Sequence, residues 1–183
     1  MLSRCLPLVV LLGCTPSSGG LIYEPTQAID DDDATDDDDD VESSADVLVN
    51  ELMADNRASI FDGTGATSDW IELFNTTTER VDLQGWSLSD DWTVPDLHVF
   101  PQGVSVEPRG HLMLWASGSD DLVNHVPFGL ARDGEAVGLF DPEGRSVDWV
   151  QFPAMAADIA YARIRDGWED WGELEDGTPG SEN

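Results

Sequence analysis

From residue 46 onward, short runs of apolar and alternating residues are separated by clusters of turn-forming residues. The runs are VLVNEL, DWIELF, GWSLS, LHVF, HLMLWA, EAVGLF, SVDWVQF and IAYARI, and the separating clusters include DGTG, EPRG, RDGE and DPEG. Short runs bounded by glycine, proline and aspartate are typical of β-strands joined by turns. No apolar spacing of helical period extends beyond a turn or two. Eight or so strands at this spacing predict an all-β domain in which two sheets form a sandwich.

Three of these runs indicate how particular strands are placed. In GWSLS, Trp86 and Leu88 fall on one face while Ser87 and Ser89 fall on the other, because side chains alternate along a strand. This pattern predicts one face in contact with water. HLMLWA is apolar on both faces, as in a strand that is covered on each side. LFDPEGRSV predicts a hairpin in which Gly144 supplies a positive φ.

An ordered series of stretches resembles the lamin-tail domain, of the kind found on bacterial secreted and surface proteins. The series includes VNELMADN, DWIELFN, VDLQGWSLSDD and FGLARDGEAVGLFDPEGRSVDWVQF, and it covers about residues 47–183. Its most specific parts are DWIEL at 69–73 and LQGWSL at 83–88, and the ending TPG at 178–180 is typical of the bacterial members. The resemblance implies an immunoglobulin-like β-sandwich, which agrees with the strand pattern.

The N-terminus contains the short apolar run LPLVVLL. A helix that crosses a bilayer needs about 20 apolar residues, so this run predicts a secretory signal and not a membrane span. The run ends in Leu11-Leu12-Gly13-Cys14, which resembles a bacterial lipobox. The resemblance implies that the chain is cleaved before Cys14 and that Cys14 is lipidated. The lipid would anchor the exported protein to the cell envelope, at the outer membrane or the cell surface. The alternative is an ordinary signal peptide with an incidental cysteine. Cys5 would leave with the signal, so no disulfide or cysteine metal site would remain.

An aspartate-rich segment follows this cysteine. Nine residues between Asp30 and Asp40 are aspartates. High charge with low hydrophobicity predicts that residues 14–45 form a disordered tether, which would hold the folded domain away from the envelope. A second interpretation is calcium binding, since calcium prefers clustered carboxylates. A run of aspartates lacks the spaced ligands and turn glycines of a fixed site, so we expect weak calcium association at most.

Acidic residues dominate the whole chain and restrict its partners. The sequence has 38 acidic and 8 basic residues, and its formal net charge is −30. Nucleic-acid binding depends on lysine and arginine side chains that displace counterions from phosphates. The charge therefore argues against DNA or RNA as a direct partner.

No residue pattern typical of a catalytic or metal site is present in the sequence. His98, His111 and His125 lack the spacing of metal ligands, and neither a GxSxG motif nor a P-loop occurs. We therefore predict a non-enzymatic protein with no catalytic residues, no metal site and no cofactor. Asp69 and Glu72 are the nearest candidates for acid–base chemistry, and they leave a hydrolase as an alternative.

Seven tryptophans are the richest feature of the domain. Four lie in strand patterns, where we expect them to pack in the core: Trp70, Trp86, Trp115 and Trp149. Three lie in acidic, loop-like stretches and are the candidate ligand-binding residues: Trp92, Trp168 and Trp171. Exposed tryptophans can stack on sugar rings and are common in binding patches. The alternative is that DGWEDW folds back and caps one end of the sandwich.

These patterns divide the chain into a lipoprotein signal peptide (1–13), a disordered acidic tether (14–45) and a lamin-tail β-sandwich (46–183). The predicted function is that of a non-enzymatic cell-envelope lipoprotein, which displays its domain for adhesion, scaffolding or ligand binding. An envelope protein or a glycan would be the partner. The alternatives are a carbohydrate-binding module that uses the loop tryptophans, and a hydrolase or hydrolase accessory.

Overall fold

The computed structural model describes residues 45–175 and 177–183, which belong to one compact unit. The regular structure of these residues consists of strands alone. In chain order they are β1 (Val47–Met53), β2 (Asp69–Asn75), β3 (Val81–Asp82), β4 (Ser87–Ser89), β5 (His98–Val99), β6 (Ser105–Val106), β7 (His111–Ala116), β8 (His125–Val126), β9 (Glu135–Phe140), β10 (Ser146–Phe152), β11 (Ile159–Arg163) and β12 (Trp171–Glu175).

The predicted signal peptide, Cys14 and the aspartate-rich segment up to residue 44 lie outside the described residues. None of the described residues belongs to a helix with the length and hydropathy that a membrane span requires.

The strands form two main sheets. The larger sheet has the strand order β12-β11-β1-β2-β7-β8, and the smaller has the order β10-β9-β4-β5. Neighbouring strands are antiparallel except for β7 and β8, which are parallel. Strands β3 and β6 pair as a separate two-stranded ribbon. The predicted all-β sandwich is confirmed.

The hydrophobic core lies between the two sheets. Val49, Leu73 and Leu114 contribute to it from the larger sheet, while Leu88 and Leu139 contribute from the smaller one. All five side chains are buried. Complete burial of a side chain of this size contributes about 1.5–3 kcal/mol, so alternate positions on both sheets supply the main stabilisation.

The opposite face of the larger sheet is also covered. Met53, Trp70 and Ala160 form a second buried cluster there, against which Met113 and Trp115 pack. HLMLWA therefore contacts apolar residues on both of its faces, as its pattern predicts. Trp70 and Trp115 belong to this outer cluster and not to the space between the sheets.

Strand β4 is buried on both faces, so the predicted water-facing side is wrong. Ser87 and Ser89 are both buried. The Ser89 hydroxyl is satisfied locally, since Oγ donates to the Asp91 carbonyl and accepts from the Asp91 amide, each at 3.0 Å. Ser89 also lies beside Gly138 of β9, over which the indole of Trp149 packs. Aromatic cover thus excludes water from a polar face.

Trp149 packs on this outer face and not in the core, which corrects the prediction for that residue. A Cβ atom at Gly138 would overlap the indole of Trp149, so the ring lies directly on the strand backbone. Trp92 packs edge-on against it with ring centroids 4.8 Å apart, and Phe140 lies at 6.2 Å. Val150 takes the core position on β10. Trp86 is half-buried and packs against the core from its margin.

The hairpin between β9 and β10 is confirmed. The Asp141 amide donates to the Arg145 carbonyl at 3.0 Å, and Gly144 has φ of +76°.

Four strands were not predicted. Strands β3, β6 and β8 have two residues each, which is too short for a period to show, and β12 lies in a stretch whose acidic residues favoured a loop.

A buried ion pair joins the two sheets. Arg163 on β11 donates from Nη2 to Asp148 Oδ2 on β10 at 2.9 Å, and from Nε to the Val49 carbonyl at 2.8 Å. Asp148 also accepts the Val49 amide at 2.9 Å. A β-bulge between Val49 and Glu51 interrupts the ladder at this point. The two side chains therefore satisfy the irregular backbone and connect the sheets.

We expect Arg163→Ala to lower the free energy of unfolding by about 3–5 kcal/mol, because it leaves the Asp148 carboxylate buried without its partner. Arg145→Ala is the matched control. Arg145 also pairs with an aspartate, Asp141, at 2.6 Å, but the arginine side chain is 73% exposed, against 5% for Arg163. Urea denaturation of both variants measures the difference. Equal effects of the two substitutions would contradict a special role for the buried pair.

Candidate functional sites

Two glutamates lie opposite each other on neighbouring strands beneath the C-terminal segment. Glu51 on β1 pairs in register with Glu72 on β2, and both are fully buried. Thr178 donates from its backbone amide to Glu51 Oε1 at 2.9 Å and from Oγ1 to Oε2 at 3.1 Å. The Gly180 amide donates to Glu72 Oε2 at 2.6 Å. The segment 177–183 thus supplies hydrogen-bond donors to both buried carboxyl groups.

Three further residues complete this group, which we call the carboxylate cluster: Glu51, Glu72, Asn50, His111 and Asp166. His111 on β7 lies with Nε2 3.0 Å from Asp166 Oδ2 and 3.8 Å from Glu72 Oε1. Asn50 donates from Nδ2 to Asp166 Oδ1 at 2.8 Å and to Glu72 Oε1 at 3.2 Å. One histidine and one amide therefore bridge the carboxyl groups of Glu72 and Asp166.

Burial and mutual repulsion set the pKa values of the cluster. Burial is the largest cause that raises the pKa of Glu51 to about 7, and the charge of Glu72 adds to the effect. Burial also raises the pKa of Glu72, although the Gly180 amide and His111 oppose it. For His111, burial lowers the pKa, but the hydrogen bond to Asp166 and the charge of Glu72 outweigh it, so the pKa is raised.

The pKa of Asp166 is lowered, whereas those of Glu51, Glu72 and His111 are raised. Burial raises its pKa, but hydrogen bonds from His111, Asn50 and the Asn183 amide outweigh burial, so the pKa is lowered. The cluster therefore combines an ionised aspartate and a histidine that favours its protonated form with a glutamate that holds its proton near neutrality. An ion pair and a neutral carboxyl reduce the cost of burying several acidic groups together.

The two acids considered for hydrolysis do not form a pair. Asp69 and Glu72 are three positions apart on β2, so they point to opposite faces of the sheet. Asp69 accepts the Asn56 amide at 3.1 Å, whereas Glu72 is covered by Gly180. Two acids act on one glycosidic bond only when both reach it. Among the described residues, no group of three or more histidine, cysteine, aspartate or glutamate side chains is arranged to hold a metal ion.

The three candidate ligand-binding tryptophans occupy different environments. Trp92 is 56% exposed and packs against Trp149. Trp168 lies between β11 and β12, and the Arg165 guanidinium lies 4.5 Å from its ring centroid. Trp171 is not in a loop, which corrects that expectation: it opens β12 and stacks on Tyr161 with ring centroids 5.1 Å apart.

Part of DGWEDW folds over the larger sheet. Asp166, at the start of this stretch, contacts Asn50 and His111, and a Cβ atom at Gly167 would lie 3.4 Å from the Phe74 ring. The start of the stretch therefore covers part of the outer face of the larger sheet, and its last residue, Trp171, opens β12.

A groove lies between strand β10 of the smaller sheet and strands β11 and β12 of the larger one. Its volume is about 300 Å³. The lining residues are Asp148, Trp149, Val150, Gln151, Tyr161, Arg163, Glu169 and Trp171. Of the three candidate tryptophans, Trp171 lines this groove, and neither Trp92 nor Trp168 does. The groove is thus the part of the surface where aromatic and polar side chains converge around a candidate residue.

Sequence reasoning missed several residues that organise these sites. Glu51 had a signal, since VLVNELM places it and Asn50 inside an otherwise apolar strand. Arg163 and Asp166 had no local signal, because Arg163 bonds a residue 15 positions away and Asp166 one 116 positions away. Tyr161 becomes part of an aromatic pair only through the unpredicted strand β12.

The raised pKa of Glu51 predicts that stability falls with rising pH. The unfolded chain releases this proton near the ordinary value of 4.5, and the folded protein near 7. The stabilising contribution is therefore fully present below about pH 4.5 and is lost as the pH rises through 7. We expect Glu51→Gln to remove on the order of 2–3 kcal/mol of the fall in unfolding free energy between pH 5 and pH 8.

Urea denaturation at pH 5, 6, 7 and 8 measures this slope. Glu72 and His111 shift in the same direction, so a smaller slope should remain in the variant. Glu79→Gln, at an exposed position, controls for the removal of one charge. The same slope in Glu51→Gln and in the wild type would show that Glu51 does not hold its proton in the folded protein.

Comparison with known proteins agrees with this architecture. A family model for the Lamin Tail Domain matches residues 40–154, which is more than half of the chain. Among curated proteins, none matches the sequence. Lamin tail domains are immunoglobulin-like and generally non-catalytic, which agrees with the sandwich described above. The chain belongs to the Lamin Tail Domain family.

Proposed function

We propose that this protein is a non-enzymatic lipoprotein of the bacterial cell envelope, in which a lamin tail domain serves adhesion, scaffolding or ligand binding. The observation that carries the proposal is the sequence Leu11-Leu12-Gly13-Cys14 at the end of a short apolar run, ahead of a domain from a generally non-catalytic family. Residues 1–13 would be removed during export, and Cys14 would become the lipidated N-terminus.

The aspartate-rich segment fits the role of a spacer between membrane and domain. About 30 residues separate Cys14 from Val47, where β1 begins. A chain of that length reaches at most about 100 Å when fully extended. Negative charge on this segment would repel an anionic membrane surface and so favour display of the domain away from it. Loose association of calcium with the aspartates is compatible with this role.

A binding role accords better with the geometry than a hydrolytic one does. Asp69 and Glu72 lie on opposite faces of one strand, and Gly180 covers Glu72. The surface charge is unfavourable for nucleic acid, since the chain has 38 acidic and 8 basic residues. An envelope protein or an envelope glycan is the class of partner that remains.

Expression of the full chain in a bacterium tests the anchor. We expect the protein to fractionate with membranes and its N-terminal peptide to carry a diacylglyceryl group on Cys14, because the two acyl chains of this group give stable attachment. Cys14→Ser should release the protein from the membrane fraction. Cys5→Ser is the matched control, since that cysteine lies in the part removed, and it should leave attachment unchanged. Mass spectrometry of the mature N-terminus gives the readout, and an unmodified Cys14 in the wild-type protein would rule out the lipoprotein assignment.

A further inference from the structure

The groove between the sheet edges has the composition of a ligand site. Strands β10 and β12 end their respective sheets, so among the described strands neither has a further neighbour on this side. Residues 148–151 of β10 line one wall, while Tyr161, Arg163, Glu169 and Trp171 line the other. A volume of about 300 Å³ lies at the lower end of the range for small-molecule sites.

The aromatic wall of the groove is held in place before any ligand binds. Tyr161 and Trp171 are half-buried, and their rings stack with an interplanar angle of 19°. The Arg163 guanidinium lies 4.9 Å from the Trp171 ring centroid. Arg163 is itself fixed by its ion pair with Asp148. A wall that is already ordered loses little conformational entropy on binding.

The charges of the groove favour an uncharged ligand. The Arg163 nitrogens donate to the Val49 carbonyl, the Trp168 carbonyl and Asp148, so the guanidinium is already occupied. Glu169 is exposed and adds a carboxylate, which would repel an anion. Gln151 is also exposed, and its amide can both donate and accept hydrogen bonds. Acceptors beside aromatic rings suit a molecule that combines hydroxyl groups with an apolar C–H surface.

We propose that this groove binds a neutral carbohydrate. The Tyr161–Trp171 pair lines one wall and contacts the C–H surface of the sugar, and Gln151 and Glu169 bond its hydroxyl groups. This inference rests on the proposed binding function and names its ligand class, but it does not depend on the lipid anchor. Trp171 is thereby assigned to the site, and Trp168, whose ring packs on Arg165, lies outside it.

Substitutions in the groove can separate a ligand-binding role of Tyr161 and Trp171 from a purely structural one. Tyr161 and Trp171 pack against the core and help to close the sandwich where the two sheets end. Substitution of Trp171 therefore affects both folding and binding. Gln151 and Glu169 are exposed, so their removal should change binding and leave folding intact.

Affinity electrophoresis of the full-length protein, purified in mild detergent, tests the proposal. Native gels contain one of four neutral polysaccharides: hydroxyethylcellulose, laminarin, galactomannan or dextran. We expect at least one of them to retard the wild-type protein. The double variant Gln151→Ala/Glu169→Ala should bind that polysaccharide at least about tenfold more weakly, because it removes two hydrogen-bonding partners. Trp171→Ala should lose retardation as well.

The matched control is Gln84→Ala/Glu79→Ala, which removes an exposed glutamine and an exposed glutamate that are not among the residues lining the groove. Trp168→Phe controls for loss of an indole outside the groove. Both should be retarded like the wild type. A fifth gel contains anionic alginate. The proposal is overturned if none of the four neutral polysaccharides retards the protein, if only alginate does, or if the Gln151→Ala/Glu169→Ala variant is retarded as strongly as the wild type. Membrane attachment without glycan binding would overturn this inference and leave the lipoprotein proposal intact.

Discussion

Two glutamate carboxyl groups face each other on adjacent strands, sealed from water, and this contact constrains the rest of the larger sheet. Glu51 and Glu72 would repel each other strongly if both were ionised at this depth. Amide donors from Thr178 and Gly180 and a raised pKa at Glu51 make the arrangement tolerable. The C-terminal segment is therefore part of the fold, although the family match ends at residue 154.

The same segment is connected to the groove through one residue. Asn183 donates from Nδ2 to the Arg163 carbonyl at 2.7 Å, and its amide donates to Asp166. The Arg163 guanidinium contacts Asp148 across the sheets and lies over the Trp171 ring. Arg163 thus links the cover of the larger sheet, the joint between the sheets and one wall of the groove. A folding element and a candidate binding surface depend on a single side chain.

The sequence predicted the strands that have a clear period and much of what they bury. VLVNELM, DWIELF and EAVGLF became β1, β2 and β9 because each is long enough for alternation to show. Prediction from the sequence failed where the environment of a residue depends on how strands pack together. Trp149 left the core because Gly138, eleven residues earlier, offers bare backbone for its ring. Ser87 and Ser89 are buried by the same aromatic layer. The groove could not be predicted, since it requires β12 and the contact between Arg163 and Asp148.

The central claim is that the C-terminal segment stabilises the domain by donating hydrogen bonds to the buried carboxyl groups of Glu51 and Glu72. The most direct measurement is a thermodynamic cycle in urea at pH 8, in which residues 176–183 are deleted from the wild type and from the Glu51→Gln/Glu72→Gln variant. The account predicts that deletion costs much more unfolding free energy in the wild type than in the glutamine variant, because only the wild type leaves charged groups without donors. The same cost in both backgrounds would contradict it.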